Sequence, residues 1–224
     1  MEQFDQFSED YKEILDQHVS ASGESSEYFT EYKARYVAKL VSNVAPTKLL
    51  DFGCGVGLLS SFLKKYLPDC TLHGYDVSSA SIDMVDGDLL AQGLFTTDIS
   101  KLANDYDLIV VSNVLHHIDP RNRQDVILRL RDRLAPGGNI IIFEHNPANP
   151  LTRKVVDSCP FDEGVVLLPL KETITYISKA KLGVKRRDYI VFFPRPLALF
   201  RPLEPLISWC PLGAQYALVG EKRG

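Results

Sequence analysis

Residues 48–57 read KLLDFGCGVG, a short apolar run from Lys48 to Phe52 that ends in Gly53, Gly55 and Gly57. Directly after it, LLSSFLKKY (58–66) spaces its apolar residues as a helix does, so strand, glycine turn and helix follow one another, with the helix over about 57–66. Glycine lets the backbone turn tightly and bring its N–H groups close to a ligand. Outward along the chain the rhythm repeats. TLHGYD (71–76), DLIVVS (107–112) and NIIIFE (139–144) are short runs dominated by Val, Ile and Leu, the pattern of parallel strands covered on both faces. Amphipathic stretches at about 79–91 and 121–134 lie between them. Parallel strands joined through helices need right-handed crossovers, so the expected fold is α/β: a doubly wound, mostly parallel sheet with its ligand crevice at the carboxyl ends of the strands.

The composition fits such a domain. The 224 residues are 45% apolar and 24% charged with a net charge of −4, which excludes disorder, collagen and a coiled coil as the dominant character. Nowhere does an apolar run approach the roughly 18 residues of a membrane span, and the start MEQFDQFSEDYKE is acidic where a targeting peptide is basic. A cytoplasmic protein with no membrane span is expected. Cys54, Cys70, Cys159 and Cys210 are scattered, with no C-x-x-C pair and no histidine at metal-ligand spacing, so neither a disulfide framework nor a metal site is expected.

Both ends of the chain depart from the strand–helix rhythm. Residues 1–31 hold nine carboxylates against the single Lys12, with Phe4, Phe7, Tyr11, Ile14 and Leu15 at helical spacing. Val19 to Ser26 reads as a loop, and a second helix, capped at Ser26 and carrying Tyr28, Phe29, Tyr32, Tyr36, Val37 and Leu40, ends before Pro46. Residues 1–45 thus form an N-terminal helical segment and 46–224 the main domain. After Pro147, prolines cluster from 194 to 211, basic residues gather around Lys185, Arg186 and Arg187, and DYIVFF (188–193) and QYALVGE (215–221) read as two closing strands.

Two ligand classes compete for the glycine turn. A dinucleotide fingerprint needs a third glycine where Leu58 stands, and a carboxylate at Asp51 repels pyrophosphate. The same carboxylate suits a ligand with an ammonium and a sulfonium group, as S-adenosylmethionine has. Asp76, 19 residues after Gly57 at the end of the next strand, is placed to accept hydrogen bonds from ribose hydroxyls.

At this point the chain resembles the class I S-adenosylmethionine-dependent methyltransferases, in particular their small-molecule type 11 and type 12 groups. The pieces that carry the resemblance are LLDFGCGVG (49–57), GYDVS (74–78), TTDIS (96–100), DLIVVSNVLHHI (107–118) and LAPGGNIIIFEHN (134–146). The resemblance implies a seven-stranded, Rossmann-like sheet with its last strand antiparallel, under a lid formed by the N-terminal helical segment. It also implies a cofactor held by Asp51, Gly53, Gly55 and Gly57 near the methionine moiety, Asp76 at the ribose, Asp98 near the adenine, and Asn113 on the floor.

His145 follows the strand NIIIFE at its carboxyl end, where an acceptor must enter, and an imidazole titrating near 6.5 can take a hydroxyl proton. His145 is therefore the catalytic candidate. The pair His116-His117 reads as packing or capping, Asp98 alternatively caps a short helix, and Asp83, Asp86 and Asp88 fall on a solvated helix face. The N/D-P-P-Y/F signature of amino-group methyltransferases is absent after the fourth strand, where Ser112-Asn113-Val114-Leu115 stands, and an Asp-Asn pair for a catechol-type magnesium site is absent too. Metal-independent O-methylation of a small molecule is the expected activity, with C- or N-methylation of a natural-product or glycolipid intermediate as the alternative. The stretch VFFPRPLALFRPLEPLISW (191–209) reads as a wall for an apolar or lipid-like acceptor, a homodimer surface, or an insertion packed on its own domain. Nucleic acid is not expected as a partner. From other classes, a nucleotide-dependent oxidoreductase is disfavoured by Leu58 and Asp51, and a non-catalytic partner subunit of the same fold stays open.

Overall fold

The structure is a computed structural model that describes residues 16–223, with the backbone alone at Ala21 and Phe161. The helix expected from Phe4 to Leu15 lies outside the described residues. Seven strands form one sheet: β1 (Lys48–Phe52), β2 (Thr71–Tyr75), β3 (Phe95–Thr96), β4 (Tyr106–Ser112), β5 (Leu134–His145), β6 (Leu182–Ile190) and β7 (Gln215–Lys222). Their order is β3-β2-β1-β4-β5-β7-β6. All neighbours are parallel except β7, which runs antiparallel to both β5 and β6. Strand order reverses between β1 and β4, so the crevice of a doubly wound sheet opens just beyond Phe52 and Ser112.

The apolar runs are continuous because both faces of the central strands are covered. Leu49, Leu50, Ile109, Val110, Ile140 and Ile142 are all at most 1% exposed, each contributing about 1.5–3 kcal/mol of burial. One layer packs α5 (Arg123–Arg133) and α7 (Leu170–Lys179) on the sheet through Ile127, Leu130 and Ile177. The other packs α1 (Ser26–Leu40) and α2 (Leu58–Tyr66) through Ala34, Val37, Leu59 and Leu63. The part of residues 1–45 that forms α1 is therefore built into the core.

Several elements differ from expectation for local reasons. Ser25, rather than Ser26, caps α1. The helix expected over 79–91 is two, α3 (Ser79–Asp83) and α4 (Gly87–Gln92), because the Asp86 carboxylate accepts from Asp88 N and starts a new helix. Strand β6 begins six residues earlier than expected and runs through Lys185, Arg186 and Arg187, which lie exposed along the sheet's edge; charged edges of this kind resist pairing with other chains. It ends where Val191 takes φ +61°. The proline-rich stretch forms a 3-10 segment (Arg195–Leu203) and α8 (Glu204–Ile207), held to the sheet by the buried Glu204 carboxylate, which accepts from Phe192 N, Phe193 N and Tyr32 Oη.

At the turn after β1, Gly53 has φ +78°, and a Cβ there would stand 2.3 Å from Val114 Cγ2. The residue pays for close approach with its side chain. Gly53→Ala is expected to lose about 2 kcal/mol or more through strain and overlap, read as a fall in thermal midpoint. Adding Val114→Ala should restore part of it; equal loss in single and double variants would argue against the overlap.

Candidate active site

A chamber of about 690 Å³ opens at the crevice between β1 and β4 and runs from the glycine turn to the end of β5. At its first end, Gly53 N and Cys54 N donate to Tyr75 O, and the Asp76 carboxylate accepts from Gly55 N and Ser78 N at 2.8 and 3.0 Å. These bonds pin the turn with Gly55 facing open space: a Cβ on it would meet nothing within 4 Å. Asp51 and Asp76 both line the chamber. Asp51 is 1% exposed and accepts from Ser60 Oγ at 2.7 Å, and burial pushes its carboxyl up to about 7.

Asn113, just past β4, has φ +56° and donates its N–H to Phe143 O. Its Oδ1 is buried on the chamber with no hydrogen-bond partner in the protein, the kind of group that a bound molecule satisfies. Asp98 sits elsewhere. Its carboxylate is exposed and caps a 3-10 turn by accepting from Ser100 N and Oγ, which holds it below the usual carboxylate range, and Ile99 rather than Asp98 lines the chamber. Of the residues expected at the cofactor, Asp51, Gly53, Gly55, Asp76 and Asn113 come together on the chamber, whereas Gly57 faces Val85, with a Cβ there 3.2 Å from Val85 Cγ1, and Asp98 lies outside the lining.

Lys33 is a functional candidate that sequence reading missed. It lies on the inward face of α1, 6% exposed, with Nζ donating to Ser112 Oγ at 2.9 Å. Burial brings its pKa down to about 8, against the pull of Glu144 and Asp51. The signal was available: Ser26, Lys33, Ala34 and Val37 form the buried stripe of the helix, and a lysine on such a stripe needs a partner.

At the far end the structure gathers His116, His117, His145, Asp162 and Gln215. Glu144, the last buried residue of β5, organises this end. Its Oε1 accepts from Val114 N and Leu115 N at 3.1 and 2.7 Å, and its Oε2 meets His116 Nδ1 at 2.5 Å. Burial would pull His116 down, but Glu144 and then Asp162 outweigh it and hold the imidazole up to about 9. The neighbours respond in the opposite direction. Burial and the charge on His116 push His117 down to about 4 and His145 to about 3. His116 is therefore more than a packing residue, and His145 does not titrate near the 6.5 expected of it.

Of the three readings of the stretch 191–209, the structure does not bear out the acceptor wall. No residue of 194–211 lines the chamber among the described residues; Leu199 and Trp209 point outward, 87% and 75% exposed. The N-terminal side supplies His18, Ser26, Phe29 and Thr30 instead, with His18 Nε2 2.7 Å from Ser158 O.

Together, a reversing parallel sheet, a glycine turn after β1, an acid after β2 and an orphan amide after β4 follow the layout of the class I methyltransferase fold. Residues 50–140 match the family model described as a methyltransferase domain. The carboxy-S-adenosyl-L-methionine synthase of Aeromonas salmonicida is 30% identical over 119 residues, 47% of this chain and 48% of that protein. The chain thus spans about half the length of this curated relative. Among solved structures, a S-adenosylmethionine-dependent methyltransferase from Archaeoglobus fulgidus superposes with a TM-score of 0.67 at 15% identity, covering 88% of this chain and 95% of that one. Magnesium protoporphyrin IX methyltransferase from Synechocystis, solved with bound S-adenosylhomocysteine, gives 0.61 at 16%, covering 87% and 83%. The fold is that of the class I S-adenosylmethionine-dependent methyltransferases, and the matched segment is similar to their methyltransferase domain. No helix among the described residues is long and apolar enough to cross a membrane.

Proposed function

We propose that this protein methylates an oxygen of a small-molecule acceptor that enters the chamber between His145, His117 and Gln215. The observation that carries the proposal is continuity: the glycine turn and the imidazole-lined end wall one chamber, so donor and acceptor share an enclosure. S-adenosylmethionine, when bound, supplies a methyl group on a cationic sulfur, an activated leaving group. What the chain must add is alignment and exclusion of water, effects worth about 7–11 kcal/mol in well-oriented model reactions. Asp51 and the Asn113 amide are placed to hold the amino-acid end of the cofactor, and Asp76 its ribose. His145, partly open to the chamber and uncharged over the neutral range, accepts a hydrogen bond from the acceptor hydroxyl and orients its lone pair. Its imidazole then leaves no limb near pH 6.5 in the activity profile.

The test is mass spectrometry of acceptor libraries incubated with cofactor carrying a deuterated methyl group. A labelled ether or ester supports O-methylation; label on carbon or nitrogen moves the reading to the alternative, and no labelled product favours a non-catalytic subunit. With an acceptor in hand, His145→Ala is expected to lower kcat about 10- to 100-fold with S-adenosylhomocysteine affinity unchanged; normal turnover would leave His145 a structural residue.

The segment before α1 completes the lid in this proposal, because His18 and Val19 line the chamber and Glu24 is anchored by Arg201 at 2.7 Å. Deleting residues 1–24 should leave the sheet folded while turnover falls at least tenfold. Full activity of the truncated protein would refute the lid.

A further inference from the structure

We infer that His116, His117 and Asp162 form a binding site for one divalent transition-metal ion of the zinc class at the acceptor end of the chamber. His116 Nε2 lies 3.3 Å and His117 Nε2 3.5 Å from Asp162 Oδ1, and the three atoms lie within 4.8 Å of one another. Those spacings are long for hydrogen bonds, which centre near 2.9 Å. They match the edges of a coordination tetrahedron, whose ligands, held about 2.0–2.1 Å from the ion, stand roughly 3.3–3.4 Å apart.

The surroundings are those of a built site. Glu144, fully buried, takes the Nδ1 side of His116 and so turns Nε2 toward Asp162; a carboxylate behind a ligating imidazole fixes its tautomer and orientation. The ligands sit on short, braced turns. Leu115–His117 is a 3-10 turn tied to Glu144 through Leu115 N, and Pro160–Asp162 is another, closed by Asp162 N donating to Cys159 O. Two imidazoles and one carboxylate leave a zinc-class ion a position for a non-protein oxygen, and His117 and Asp162 both line the chamber. In the chamber that position would take an acceptor's hydroxyl or carboxylate oxygen, a role that rests on the proposed function; the metal site itself does not.

The experiment titrates Co2+ and then Zn2+ into the full-length, chelator-treated protein. The expected result is one equivalent of Co2+ with the intense visible absorption of a four-coordinate site, displaced by Zn2+. His117→Ala and Asp162→Asn should each weaken Zn2+ binding at least tenfold while leaving S-adenosylhomocysteine affinity intact, which shows that the variants are folded. His73→Ala, on β2, should change nothing. No saturable absorption, or equal Zn2+ affinity in all three variants, overturns the site. Loss of S-adenosylhomocysteine binding by the unsubstituted protein would instead strike the methyltransferase reading, so the two failures are distinguishable.

Discussion

Replacing Glu144 by leucine will cost about 3–5 kcal/mol of stability, the scale for removing one partner from a buried charged pair. The carboxylate is 0% exposed and takes two backbone N–H groups and His116. Leucine fills the space but leaves those donors buried with no acceptor, and it strips His116 of the charge that outweighs its burial. For a chain of this length the loss reads as a thermal midpoint lower by about 6–20 °C. Glu144→Gln keeps an acceptor for Val114 N and Leu115 N and should recover part of it. A leucine variant as stable as the parent would mean that these donors are satisfied in another way.

Affinity for S-adenosylhomocysteine is expected to fall as the solution becomes acidic, with Asp51 as the cause. Burial raises its carboxyl to about 7, so below that pH the free protein carries the neutral acid, while an ammonium ligand selects the carboxylate. Binding then releases a proton, and affinity should drop about tenfold per pH unit below 7, roughly thirtyfold between pH 8 and pH 5.5. Stability has the opposite sign. A raised folded-state pKa gives a contribution fully present below the unfolded value near 3.8 and lost as pH rises through 7. Asp51→Asn should therefore bind more weakly at pH 8, with a flat pH response, and unfold at a higher temperature there. Calorimetry in buffers of different ionisation enthalpy counts the proton; an unchanged slope in the asparagine variant would remove Asp51 from the linkage.

What sequence could reach was set by distance along the chain. The glycine turn, Asp51 and the acid after β2 sit at strand ends whose order the apolar rhythm dictates, so their meeting followed from topology. The far end of the chamber has no such local signature. His116-His117 and Asp162 are separated by 45 positions from His117 to Asp162, and only the β4–β5 pairing and the 3-10 turn after α6 (Pro150–Ser158) bring them together. Spacing rules for metal ligands, which count neighbours, miss such a set. Asp98 shows the converse: the Asp-x-Ser pattern that caps its 3-10 turn looks the same in sequence as an acid aimed at a base, so the capping reading and the cofactor reading stood side by side. The basic run 185–187 concealed the middle of β6, because an edge strand tolerates charges that a central one excludes.

The placement of β7 between β5 and β6 has a consequence for biogenesis. Residues 134–145 lie beside β4 on one side, and their other edge is closed by residues 215–222, which emerge from the ribosome about 70 positions later. Until then β5, with its buried Ile140 to Phe143 run, presents open backbone donors and acceptors, and β6, although already synthesised, has no partner to dock on. Gln215 belongs to the same late strand and lines the chamber. This end of the chamber is thus finished by a strand made well after the glycine turn, so a nascent chain holds that turn long before the far wall of its chamber is complete.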